Sequence, residues 1–182
     1  MSIATSLLTA AEFGNLPDPG HPQELIRGVI LDMPPPKLKH GVVCANIVYE
    51  LKSFCKDKHV GRVFGNDAGV ITERNPDSVR GADVGFISFA RIPPGPLPDY
   101  LEVPPDALFE VLSPSNRRGY VQRKVAEYLE MGVPAVYVVD PDTSRVHCYY
   151  ADRPEEILSP TDIFVGVGPL ADFQVSVARF FE

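Results

Sequence analysis

Tryptophan is absent from the 182 residues and cysteine appears only three times, at Cys44, Cys55 and Cys148. The odd number and the lack of any CxxC pair exclude a disulfide framework and a cysteine-based zinc module as the basis of the fold. No apolar run approaches the roughly 20 residues needed to cross a bilayer, so no membrane partner is expected. No basic stretch precedes the short apolar pair Leu7-Leu8, so no signal peptide is expected either. Free cysteines and the missing leader together predict a reducing, cytoplasmic setting.

Apolar residues make up 45% of the chain and charged residues 23%, enough to build one core and too apolar for a disordered chain. The length predicts a single domain over 1–182, with residues 1–20 as an N-terminal extension carrying a short helix. The 19 prolines and 14 glycines predict short elements joined by stiff loops. The net charge of −7 argues by itself against a surface that grips a polyanion. Its distribution is uneven, because residues 1–125 are neutral and the excess of acid lies wholly in 126–182. Six basic residues fall within 37–62, and a second group comprises Arg117, Arg118, Arg123 and Lys124. These groups can form a phosphate-facing surface or simply the solvated faces of two helices.

Periodicity gives the elements. A short helix is expected over Ala10–Leu16, and Glu24–Asp32 reads as one strand bulged at Gly28. Val43, Ile47, Leu51 and Phe54 mark a helix over Gly41–Lys56, with Cys44 and Cys55 as small residues on its buried side. Short strands are expected near Val63-Phe64 and Ala68–Thr72, then a strand Asp83–Phe89, a proline-rich loop 91–106 and a central strand Ala107–Leu112. Ser113–Asn116 stops that strand and offers caps for a helix running to Met131. Ala135–Val139 and Arg145–Tyr150 form a hairpin, and Phe180-Phe181 closes the core. The order describes an α/β fold, a mixed central sheet flanked by helices.

Two carboxylates sit where charge is costly. Glu110 lies inside Leu108–Leu112, the most apolar strand of the chain, and Asp83 opens another buried strand. A buried ionised carboxylate is disfavoured unless it is paired or binds a metal. Structural roles are open to both: Asp83 can cap a turn, and Glu110 can pair with an arginine. Lys124 stands at the edge of the inward stripe Val121, Val125, Tyr128 and Leu129, where it can snorkel outward or point at Glu110. Converging Asp, Glu and Lys are suited to metal-assisted phosphodiester hydrolysis. The carboxylates suit Mg²⁺, with Mn²⁺ able to substitute, and the lysine can orient water or stabilise developing charge. Without an ion, Glu110 is expected to lack a counter-charge, and its pKa to be raised.

Several segments together resemble the Uma-type restriction endonuclease family of the PD-(D/E)XK nuclease superfamily. They are Glu24–Gly28, Met33–Pro36, His40-Gly41, Gly61–Phe64, Arg80–Val84, Glu110–Ser115 with Lys124 and Tyr128, Gly132-Val133 and Val138–Pro141, spread over residues 10–182. The resemblance implies a restriction-endonuclease-like core that cuts nucleic acid, DNA above all. It implies Asp83 and Glu110 as metal ligands, with Val111 among the metal-holding positions. Leu112 stands where the superfamily's usual lysine would be, two residues after the glutamate, so the role passes to Lys124. Glu24 and His40 match further family positions, although Glu24 can equally be a strand-end charge and His40 a helix cap. Where many relatives carry an aspartate four residues before the helix lysine, this chain has Tyr120. A homodimer with two active sites is a further expectation. The alternatives are a weak or inactive nuclease fold serving as a binding module, and a metal hydrolase of small phosphodiesters.

Overall fold

The structure, a computed structural model, describes residues 7–56, 58–113 and 118–182. After a short helix α1 (Ala10–Gly14), strands β1 (Gln23–Ile26) and β2 (Val29–Asp32) form a hairpin. The expected single bulged strand is therefore two strands. Arg27 and Gly28 both have positive φ, 49° and 79°, and that pair makes the tight turn between them. Helix α2 spans Leu38–Cys55 and begins earlier than expected, so His40 lies within its first turn. Its N-cap, Lys37, makes no side-chain cap bond.

Strand β3 (Gly61–Glu73) is one long strand in place of two short ones. Its register against β4 (Ser78–Ser88) shifts between Gly65 and Ala68, where Asn66 and Asp67 adopt φ of 64° and 53°. Asn and Asp tolerate the left-handed region better than other side chains, and the pair forms a bulge. Strand β4 starts five residues before the expected Asp83, which stands mid-strand. Strand β5 (Ala107–Val111) pairs antiparallel with β4 and parallel with β6 (Ala135–Asp140). Helix α3 (Arg118–Glu130) is the crossover between those parallel strands. Strand β7 (Arg145–Tyr150) completes the expected hairpin, and β8 (Glu156–Leu158) follows it at the sheet edge. A small pair, β9 (Ile163–Val165) and β10 (Gln174–Ser176), closes the chain. The cap reading of Ser113–Asn116 falls mostly on 114–117, outside the described residues.

The sheet has helices on both faces. Val43, Ile47 and Leu51 of α2 pack against Val84, Phe86, Phe109 and Val111, together with Phe164 and Phe180. Val121, Val125 and Tyr128 of α3 pack against Leu108, Val136 and Val138 on the other face. Strands β4 and β5 are thus buried along their whole length, which accounts for the apolar residues on both of their faces. Phe180 is fully buried, and its neighbour Phe181 lies at the margin of the core.

One irregularity positions the site. The edge of β4 opposite β3 is shared by two strands. β1 pairs with it at Val79, and β5 pairs with it over Val84–Phe86. Between them, residues 80–83 have no strand on that side among the described residues.

Candidate active site

The gap in β4 leaves backbone groups that must find partners, since an unpaired buried amide or carbonyl is costly. Side chains fill it. The Gly81 amide donates to Glu24 Oε1 at 3.1 Å, and the Gly81 carbonyl accepts from Lys124 Nζ at 2.7 Å. At the end of β5 the Val111 amide donates to Asp83 Oδ2 at 2.6 Å. Asp83 thus takes the place a strand backbone would occupy. Gly81 also admits the β3 bulge, because a Cβ there would lie 3.0 Å from the Asp67 Cβ.

Three of the expected residues, Asp83, Glu110 and Lys124, come together at this gap. Asp83 and Glu110 stand on neighbouring antiparallel strands. Lys124 is buried, with 4% of its surface exposed, and lies inside the expected stripe edge. Its Nζ donates to Glu110 Oε2 at 2.6 Å and lies 3.4 Å from Glu24 Oε1. Glu110 Oε1 accepts from the Tyr128 hydroxyl at 3.1 Å. The expectation that Glu110 lacks a counter-charge is corrected here. Its partner is the lysine, and the arginine expected as the structural alternative lies elsewhere. Lys124 likewise leaves the proposed basic surface. Arg117 falls outside the described residues, and Lys39 and Lys58 pair with Asp142 and Asp172.

Burial pushes Glu110 up to about 8, against the pull of Lys124. Burial also works against the charge on Lys124, but Glu110, Tyr128 and Glu24 hold its pKa well above the ordinary value. Glu24 is held below the usual range: burial opposes its charge, but Lys124, Tyr120 and Arg80 outweigh it.

His40 reaches the same place from α2. Its Nε2 lies 3.2 Å from Asp83 Oδ2, and this contact raises the imidazole pKa. On the same helix face, Cys44 Sγ lies 3.6 Å from His40 Nδ1. Burial raises the Cys44 thiol pKa. Val111 contributes its amide to Asp83, and its side chain belongs to the core.

Sequence reading missed Arg80, its partner Glu127, and Asp67, and it gave Tyr120 no contact. Arg80 is fully buried, donating to Glu24 Oε2 at 2.9 Å and through Nε to Glu127 Oε2 at 2.6 Å. The Tyr120 hydroxyl donates to Glu24 in a short hydrogen bond. Tyr120 thus binds the acid across the cleft. Asp67 lines the cleft from the bulge, and partial burial and Asp83 raise its carboxyl pKa. The Asn66-Asp67 dipeptide inside an otherwise apolar strand was the available signal for it. Arg80, next to the motif glycine, offered none beyond its neighbourhood.

The result is a small cleft that includes Glu24, His40, Asp67, Asp83 and Lys124 in its lining. Glu110 and Glu127 stand behind it, so five carboxylates face two permanent cations, Lys124 and Arg80. This surplus of hard oxygen donors suits a divalent cation.

A family model matches residues 10–178, that of Uma2, described as "Putative restriction endonuclease". The chain belongs to the Uma2 family. A solved structure from Anabaena variabilis ATCC 29413, described as "a putative nuclease belonging to DUF820", is similar with a TM-score of 0.84. The two share 24% identity, over 96% of this chain and 97% of that one. The likeness shows a common fold, a mixed α/β sheet with flanking helices. No curated protein matches the chain. No helix among the described residues is long and apolar enough to cross a membrane.

Proposed function

We propose that this Uma2-family chain is a divalent-metal-dependent endonuclease that hydrolyses phosphodiester bonds, with DNA as substrate and Mg²⁺ as the working ion. The observation that carries the reading is the surplus of carboxylates over cations in one cleft. Such a cleft offers a cation more oxygen ligands than Lys124 and Arg80 engage. Asp83 and Glu110 would hold the ion, and Asp67 and Glu24 are further carboxylates of the same cleft. When bound, the ion supplies Lewis acidity and acidifies a water.

The chain's own residues supply the rest. Among the described residues, the Val111 amide and His40 both meet Asp83 at Oδ2. The Val111 amide fixes the orientation of that carboxylate. Lys124 is held by Gly81 and Glu110, so its ammonium is pre-positioned and needs no reorganisation when charge develops on a phosphate. Arg80 and Tyr120 hold Glu24 in its ionised form.

Tyr120 also favours a second reading, a weak or inactive nuclease fold that binds without cutting, because its hydroxyl occupies an acceptor site of Glu24. Plasmid nicking tests the choice. Cleavage that requires Mg²⁺ or Mn²⁺, and that is lost in Asp83→Ala, supports the nuclease. Metal-independent cleavage, or none in any divalent ion, sinks it.

A further inference from the structure

Two ligand types in the cleft are unlike the rest. His40 and Cys44 stand one helical turn apart on α2, a spacing that places both side chains on one face. Asp83 approaches from β4. The ligand atoms of the three residues all lie within 4.8 Å of one another. Cys44 Sγ lies 3.9 Å from His40 Nε2, which is itself 3.2 Å from Asp83 Oδ2. Tetrahedral Zn²⁺, with N and O at ~2.0–2.2 Å and S at ~2.3 Å, places its ligand atoms about 3.3–3.7 Å apart. Small side-chain rotations bridge that difference.

We propose that His40, Cys44 and Asp83 form a nitrogen–sulfur–oxygen site for a borderline transition ion such as Zn²⁺ or Co²⁺. A nitrogen and a thiolate are poor ligands for Mg²⁺ and good ones for Zn²⁺. Three protein ligands would leave a fourth tetrahedral position for water. Binding displaces the thiol proton of Cys44 to solvent; His40 ligates through one ring nitrogen and keeps a proton on the other, so it releases a proton only from the imidazolium form. Asp83 is common to this site and to the proposed nuclease ion, so the two ions either share it as a bridging carboxylate or compete for it. That last consequence alone rests on the proposed function.

The test uses the purified full chain after chelator treatment. Co²⁺ should give a thiolate-to-cobalt charge-transfer band in the near ultraviolet and the strong visible bands of a four-coordinate ion. Zn²⁺ should bleach both at one equivalent per chain. Cys44→Ser should remove the charge-transfer band, and Cys55→Ser should keep it. Loss of even an outer partner of a metal ligand costs about 10–100-fold in affinity, so Cys44→Ser and His40→Ala should each weaken Zn²⁺ binding at least ~10-fold. Absence of the band in the parent, or its survival in Cys44→Ser, overturns the proposal. A band in a protein that never nicks DNA supports this site and sinks only the nuclease reading. Mg²⁺-dependent nicking without a band does the reverse.

Discussion

Lys124 and Glu110 meet at 2.6 Å from Nζ to Oε2, between the crossover helix and the central strand, and both are almost wholly buried. The same ammonium closes the open edge of β4 at the Gly81 carbonyl. One side chain therefore completes the sheet and carries the charge in the cleft.

Replacing that lysine should cost stability as well as activity. Breaking one partner out of a buried ion pair typically costs about 3–5 kcal/mol. Lys124→Ala should lose that much or somewhat less, because Glu110, already pushed up to about 8, can take a proton instead. Adding Glu110→Gln should then recover part of the loss. Urea unfolding of both single variants and the double variant measures the coupling, and strictly additive losses would refute the pair.

Divalent ions should stabilise the fold by mass action. At a hundredfold excess over the dissociation constant, Mg²⁺ should add about 2.7 kcal/mol. Asp83→Asn should abolish most of that gain. Thermal unfolding in chelator and in Mg²⁺ reads it directly, and an equal gain in parent and variant would remove Asp83 from the ion.

His40 gives a pH signature in chelator-treated protein. Its bond to Asp83 raises the imidazole pKa above 6.5. A raised histidine stabilises the fold fully below the unfolded value, and the contribution is lost as pH rises through the folded value. Histidine NMR titration should therefore show His40 above 6.5 in the parent and lower in Asp83→Asn. A resonance unmoved by that substitution would contradict the contact.

Tyr120→Phe removes only the hydroxyl that Glu24 accepts. Hydrogen bonds to a charged group contribute roughly 1.5–3 kcal/mol, so the variant should unfold at measurably lower denaturant concentration. Unchanged stability would mean that Arg80 and the Gly81 amide already satisfy Glu24.

Where the apolar pattern is regular, the sequence was enough. The inward residues of α2 and α3 follow helical spacing, and the almost wholly apolar run of β5 announces a strand covered on both faces. The family resemblance brought Asp83, Glu110 and Lys124 forward together. Irregular backbone hid the remainder. The β1–β2 turn needs two residues of positive φ, one of them Arg27, and only Gly28 advertises it. The bulge that presents Asp67 and the gap along β4 arise from pairing between distant strands, which no local pattern encodes. Helical spacing left Lys124 free to reach water or to point at Glu110. Its burial follows from a carbonyl and a carboxylate that only the assembled sheet brings within reach.

The interrupted edge of β4 has an evolutionary consequence. Because Glu24, Asp83 and Lys124 replace a missing strand partner, a chain that loses one of them is driven toward misfolding and proteolysis as well as toward inactivity. Selection for folding alone would then retain these three side chains. Inheritance of the fold carries the cleft's charges with it, and new specificities can be tried in the surrounding loops without dismantling the centre.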